Sequence, residues 1–203
     1  MGIGYRAKGR ALLAAVALGV LTTPVIAQQY SDGFTFIKAV RERDGDKVTA
    51  LLGEPGTVVV NSRERATGDG AIHIVARERD LTWLTFLLGK GARPDLQNHN
   101  GDTALIIAAQ VGWLDGAQAL LDRRAGIDVP NGNGETPLIL AVHRRDLPMV
   151  RLLLARGANP KKTDRLTGSS AIDYAKRDAR DSAILKLLET PAAPQRAVAG
   201  PKL

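Results

Sequence analysis

The chain has 203 residues, 44% of them hydrophobic, 24% charged and only 4% aromatic. This is an ordinary globular balance for one domain or two, with a core resting on Leu, Val, Ile and Ala. There is no cysteine, which excludes disulfides, thiolate metal sites, a cysteine nucleophile and a lipid anchor on cysteine; the formal charge is +7, and its meaning depends on where the basic residues lie.

The first element is a leader. Arg6, Lys8 and Arg10 form a positive start, Ala11 to Leu21 is an apolar run of 11 residues, and Pro24 precedes Val25-Ile26-Ala27. The run is too short to span a bilayer as a helix and suits the core of a secretory signal, so residues 1–27 are expected to be cleaved ahead of Gln28; the competing reading is an uncleaved membrane anchor. No paired arginines occur, which points to the general export route and to a periplasmic or secreted protein without a stable membrane anchor. Residues 28–31 read as a short linker. At the other end, 190–203 carries Pro191, Pro194 and Pro201 among Ala and Gly and reads as a disordered tail. Taking the three basic residues of the leader and the two of the tail (Arg196, Lys202) from +7 leaves +2 for the folded part. A near-neutral, exported core disfavours a nucleic-acid partner.

Between these ends the sequence repeats. Gly101-Asp102-Thr103-Ala104-Leu105 returns as Gly134-Glu135-Thr136-Pro137-Leu138 and is preceded by Gly68-Asp69-Gly70-Ala71-Ile72 at the same spacing of 33 residues. Small pairs follow (Val75-Ala76, Ala108-Ala109, Ala141-Val142), then leucine pairs (Leu87-Leu88, Leu120-Leu121, Leu153-Leu154), then Gly91-Ala92 or Gly157-Ala158. Ile72 and Val75-Ala76 fall on one helical face, as do Leu105 and Ala108-Ala109, and the leucine pair closes a second helix. Asp44, Asp80 and Asp146 stand where that second helix starts and can cap it, with Pro148 in a first turn and Gly91 and Gly157 as helix ends. Less complete units flank the three central ones, with Ala39-Val40 and Leu51-Leu52 before them and Ala171-Ile172, Ala175 and Leu187-Leu188 after.

This pattern resembles the ankyrin repeat over about residues 32–189. The resemblance implies an all-α solenoid of about five helix-turn-helix units, 32–67, 68–100, 101–133, 134–167 and 168–189, with short β-hairpin fingers. The departures are specific. Gly70 replaces the motif threonine in the unit that keeps the motif histidine, His73, whereas Ile106 and Ile139 replace the histidine in the units that keep Thr103 and Thr136. Arg124 stands where a helix-ending glycine belongs, at a steric cost unless Gly126 takes over. The stretch from Gly53 to Thr67, with Val58-Val59-Val60, predicts an irregular first finger.

No catalytic constellation emerges. His73, His99 and His143 occupy different repeat positions and no H-x-x-x-H pair exists. Lys90 between Gly89 and Gly91 lacks the rest of a phosphate loop, and Ser169 and Ser170 lack a nucleophile elbow. The expectation is a monomeric, non-enzymatic protein with no cofactor and no metal. The resemblance implies a scaffold for protein–protein interaction. Its rivals are an envelope accessory protein that stabilises an exported enzyme without a ligand groove and, more remotely, a metal- or small-molecule-binding enzyme.

One surface feature bears on binding. Arg41-Glu42-Arg43-Asp44 recurs as Arg77-Glu78-Arg79-Asp80 and more loosely as His143-Arg144-Arg145-Asp146. In ankyrin stacks the end of the first helix lines the concave groove. The equivalent positions here, Arg41, Arg77, Gln110, His143 and Arg177, with Glu78 and Arg144 beside them, are the candidate partner-binding residues. The alternative is a solvated charged face whose pairs contribute roughly 0–1 kcal/mol each. Trp83 and Trp113 are expected to pack between repeats.

Overall fold

The computed structural model describes residues 25–54, 57–178 and 182–190. Among them ten α-helices follow one another in pairs: α1 (Val25–Arg41) with α2 (Gly45–Gly53), α3 (Ala71–Arg77) with α4 (Leu81–Gly89), α5 (Ala104–Val111) with α6 (Leu114–Asp122), α7 (Pro137–His143) with α8 (Leu147–Ala155), and α9 (Ala171–Arg177) with α10 (Ser182–Glu189). The first helices form one row, α3 on α5, α5 on α7 and α7 on α9; the second helices form another, α4 on α6, α6 on α8 and α8 on α10. Residues 28–31, read from sequence as a linker, lie inside α1. The leader preceding Val25 and the tail after Thr190 lie outside the described residues. No described helix is long and apolar enough to cross a membrane.

Helices of seven to nine residues are marginal alone and hold here because they bury one another. Ala71, Ala104, Ala108, Ala141 and Ala171 are at most 1% exposed, so the first helices approach closely; Leu84, Leu87, Leu120, Met149 and Leu153, all fully buried, fill the space between the two rows. The predicted aspartate caps form: Asp44, Asp80 and Asp146 accept the backbone N–H groups of Lys47, Trp83 and Met149 at 2.9–3.0 Å. In the third unit Trp113 takes that position without capping, and its ring folds over Gly116. It is 7% exposed, while Trp83 is half-buried and meets Phe86 edge-on.

The expected β-hairpin fingers do not appear. Among the described residues there is no strand, only two isolated bridges, Arg63 with Gly70 and Thr163 with Ser170. The reason is local. Asn98, Asn131 and Asp164, one per unit, draw the chain into a side-chain-stabilised turn: Asn98 Oδ1 accepts the N–H groups of Asn100 and Asp102, Asn131 Oδ1 those of Asn133 and Glu135, and Asp164 Oδ1 that of Thr167. Successive fingers then join through single backbone bonds, His99 N–H to Thr67, Gly132 N–H to Asn100 and Arg165 N–H to Asn133, at 2.7–2.9 Å. At Gly101, with φ +76, a Cβ would lie 2.6 Å from the Gly132 nitrogen, so only glycine fits beneath the next finger.

Arg124 itself adopts the left-handed conformation, φ 62, and Gly126 does not relieve it. Its side chain is exposed. Arg124→Gly is therefore expected to raise the unfolding free energy by about 0.5–1 kcal/mol, read as a higher urea midpoint.

Candidate functional site

The first-helix ends and the fingers form one structural unit, joined by a bond the sequence reading did not foresee. The side chain at each helix end turns back to the residue eight positions earlier, where its own finger meets the helix. Arg77 Nη1 and Nη2 donate to the Asp69 carboxylate, the second at 3.1 Å. Gln110 Nε2 reaches Asp102 Oδ1 at 3.4 Å, His143 Nδ1 lies 3.8 Å from Glu135 Oε1, and Arg177 donates to the Ser169 hydroxyl. In the first unit Arg41 instead crosses to Glu64 at 2.9 Å, and Glu64 also accepts from Thr67.

The sequence-predicted residues thus divide. Arg41, Arg77, Gln110, His143 and Arg177 do stand in register on one face, but as finger struts rather than unoccupied donors. Glu78 pairs with Arg43 of the preceding unit. Arg144 lies over Gly112 of the preceding unit, where a Cβ would meet its Nη2 at 2.9 Å.

The arginine at the third position of each tetrapeptide has a distinct role. Arg43, Arg79 and Arg145 have φ between 55 and 58, and Gly112 is left-handed at the equivalent position. They turn the chain from first helix to second, and each side chain crosses to the next unit: Arg43 to Glu78 and Asp80, Arg79 to the carbonyl of Val111, Arg145 to Asp178. Gly112 standing in line with three arginines was the available signal. A residue type with no side chain shares a position with long ones when the backbone there is left-handed.

Between the roots of the first and second fingers the polar groups are buried and hydrogen-bonded. The Asp69 side chain is 4% exposed and also accepts from Asn98 Nδ2 at 2.9 Å. Burial works against its charge, but the hydrogen bonds from Arg77 and Asn98 prevail and hold its pKa below the usual carboxylate value. His73 is completely buried. Its Nδ1 accepts the Gly70 N–H at 2.9 Å, and Nε2 donates toward the carbonyls of Leu96 and Asp102 at 2.8 and 3.0 Å. These partners assign the neutral ring protonated on Nε2, and burial lowers its pKa. Gly70 has no side chain to complete the cap. The other half of the motif survives next door, where the Thr103 and Thr136 hydroxyls accept the N–H groups of Ile106 and Ile139. The threonine and histidine functions are thus divided between units. Burial also pushes the Asp102 carboxyl upward.

Residues 72–164 match the family model of ankyrin repeats, in three copies. Residues 72–164 are thus ankyrin repeats. No curated protein matches the sequence. The match covers the central repeats; α1 extends the row of first helices against α3, and α9 and α10 extend both rows against α7 and α8.

Two hollows lie along the ladder face of these ankyrin repeats. One, of about 980 Å³, is bounded by α1 and the first finger and includes Phe34, Ile37 and Arg41. The other, of about 340 Å³, lies between α7 and α9 at His143, Tyr174 and Arg177. There the His143 ring meets Tyr174 edge-on at 4.2 Å and the Arg177 guanidinium covers the same ring at 5.1 Å. The Tyr174 hydroxyl donates to Asp164 at 2.6 Å. Although burial opposes it, that bond and those from Thr167 bring the Asp164 pKa down to about 2. Phe34 and Tyr174 were not among the sequence candidates, because neither belongs to the charged tetrapeptide. Among the described residues no group of three or more His, Asp or Glu is placed to hold a metal.

Proposed function

We propose that this protein is an exported ankyrin-repeat scaffold that holds a protein partner against its first-helix ends and fingers, lined by Arg41, Arg77, Glu78, Gln110, His143, Arg144 and Arg177. Ankyrin repeats generally mediate protein–protein interaction, and such domains are typically non-catalytic. The observation that supports this face is the recurrent strut: Arg77, Gln110 and Arg177 are hydrogen-bonded to their own fingers and His143 lies beside Glu135 of its own, while Arg77 and His143 remain 43% and 37% accessible. Side chains ordered before contact lose little conformational freedom on binding.

The test is affinity capture from envelope extracts. His143→Ala with Arg144→Ala is expected to reduce recovery of the captured partner at least about fivefold, whereas Arg151→Glu on α8 leaves it unchanged, with circular dichroism confirming the fold of each. Equal recovery by the double variant and the parent would refute this face. Export is checked separately by N-terminal sequencing of the protein recovered outside the cytoplasm: the expected first residue is Gln28, and an intact Met1 would refute cleavage.

A further inference from the structure

We infer that the hollow beside the first repeat docks an acidic segment of the partner, one that brings an aromatic or branched aliphatic side chain to Phe34 and carboxylates to the surrounding cations. This rests on the scaffold reading and states what the partner presents.

Three observations carry it. First, Phe34 is 73% exposed on a helix whose Phe36 and Ile37 are 0% and 5% exposed. Phe34 is therefore not needed by the core of its own helix, and it stands in the wall of a concave site, where an aromatic ring makes a strong anchor contact. Second, the hollow is lined by the cations Lys38, Arg41, Arg63 and Arg65 and by one carboxylate, Glu64; Arg41 engages Glu64, and Lys38 pairs with Glu42 outside the lining. An incoming carboxylate meets the exposed Arg63 there, and a guanidinium group holds a carboxylate through two parallel bonds. Third, the close approach of α1 to the finger depends on a residue poorly suited to a helix. A Cβ on Gly33 would lie 2.7 Å from Ser62 Oγ, so glycine lets the helix and finger meet at one edge of the hollow, although glycine weakens a helix interior. Volume and chemistry agree: about 980 Å³ accommodates several side chains of an extended segment.

A second copy of the chain fits less well. The most exposed large apolar side chain elsewhere among the described residues is Leu166, 71% accessible, and it follows Arg165 at the tip of the fourth finger. Inserting it would bring a cation to a cationic rim.

The experiment uses the full chain and fluorescein-labelled dodecapeptides read by fluorescence anisotropy. In the first peptide a Phe–Leu pair is flanked on both sides by aspartates and glutamates; in the second the pair becomes Ser–Ser; in the third the acidic residues become lysines. Only the first is expected to bind, with about tenfold weakening by Phe34→Ser and a similar loss with Arg63→Glu, while Arg151→Ala on α8 has no effect. Raising the salt concentration should weaken binding further. Binding of the lysine peptide, indifference to Phe34→Ser, or no binding by the full chain would each overturn the assignment. So would a concentration-dependent dimer abolished by Phe34→Ser, which would give the hollow to a second copy. If the peptide fails while the His143–Arg144 face still captures a partner, the docking site falls and the scaffold reading stands.

Discussion

Arg77→Ala is expected to lower the unfolding free energy by about 2 kcal/mol at neutral pH, whereas Arg41→Ala, the same change one unit earlier, costs less than about 1 kcal/mol. The two arginines hold equivalent places and both pair with a carboxylate, so their difference isolates burial. The Arg41–Glu64 pair has side chains 48% and 27% exposed, and water takes over each partner when the other is removed. Asp69 is 4% exposed. Without Arg77 it keeps Asn98 but has no opposing charge, and a carboxylate so placed is costly. Breaking a fully buried pair costs about 3–5 kcal/mol; the 43% exposure of Arg77 is the reason to expect less here. Because the folded-state pKa of Asp69 is depressed, its contribution is present above the unfolded value near 4 and fades as pH falls through the lower folded value. Urea denaturation of parent and both variants at pH 7 and at about pH 3 checks both halves. Equal costs for Arg77→Ala and Arg41→Ala at pH 7 would show the Asp69 root to be open to water.

The same comparison shows what the sequence could and could not disclose. Its period of 33 residues exposed the units, the small-residue row of first helices, the leucine row of second helices and the aspartate caps, because each is a local pattern repeated at fixed spacing. The struts were hidden for a physical reason. They join different chemistries from unit to unit, Arg77 to Asp69, Gln110 to Asp102, Arg177 to Ser169, so no pair of residue types repeats even though the geometry does. Charge similarity instead drew Arg41, Arg43, Arg77 and Arg79 into one group. The backbone divides them: Arg41 and Arg77 end helices, while Arg43 and Arg79 are left-handed turn residues reaching the next unit. The β-hairpin fingers were implied by the family resemblance, and a glycine with polar neighbours suits either a hairpin or a side-chain-closed turn. The asparagines at 98 and 131 were the residues that distinguished them.

The buried imidazole yields the sharper pH prediction. His73→Ala at pH 7.5 is expected to cost about 3 kcal/mol, the sum of a lost buried ring and of hydrogen bonds withdrawn from Gly70, Leu96 and Asp102. That cost should shrink as the solution is acidified. In the unfolded chain the ring titrates near 6.5; in the fold, burial lowers its pKa, with Arg77 acting in the same direction and Asp69 and the two carbonyls opposing. Between the folded value and 6.5 the unfolded chain binds more protons, so parent stability falls as pH drops below about 6.5, while the alanine variant lacks this slope. Asp102 acts the other way. Its folded pKa is raised, so its titration favours the fold as pH falls toward the acid range. The His73 slope should thus be sought between about pH 7 and 5, above the ordinary carboxylate range. A parent and variant whose stabilities run parallel across that interval would mean that the ring is reached by water and carries its proton in the folded state, against the three hydrogen bonds that assign it neutral.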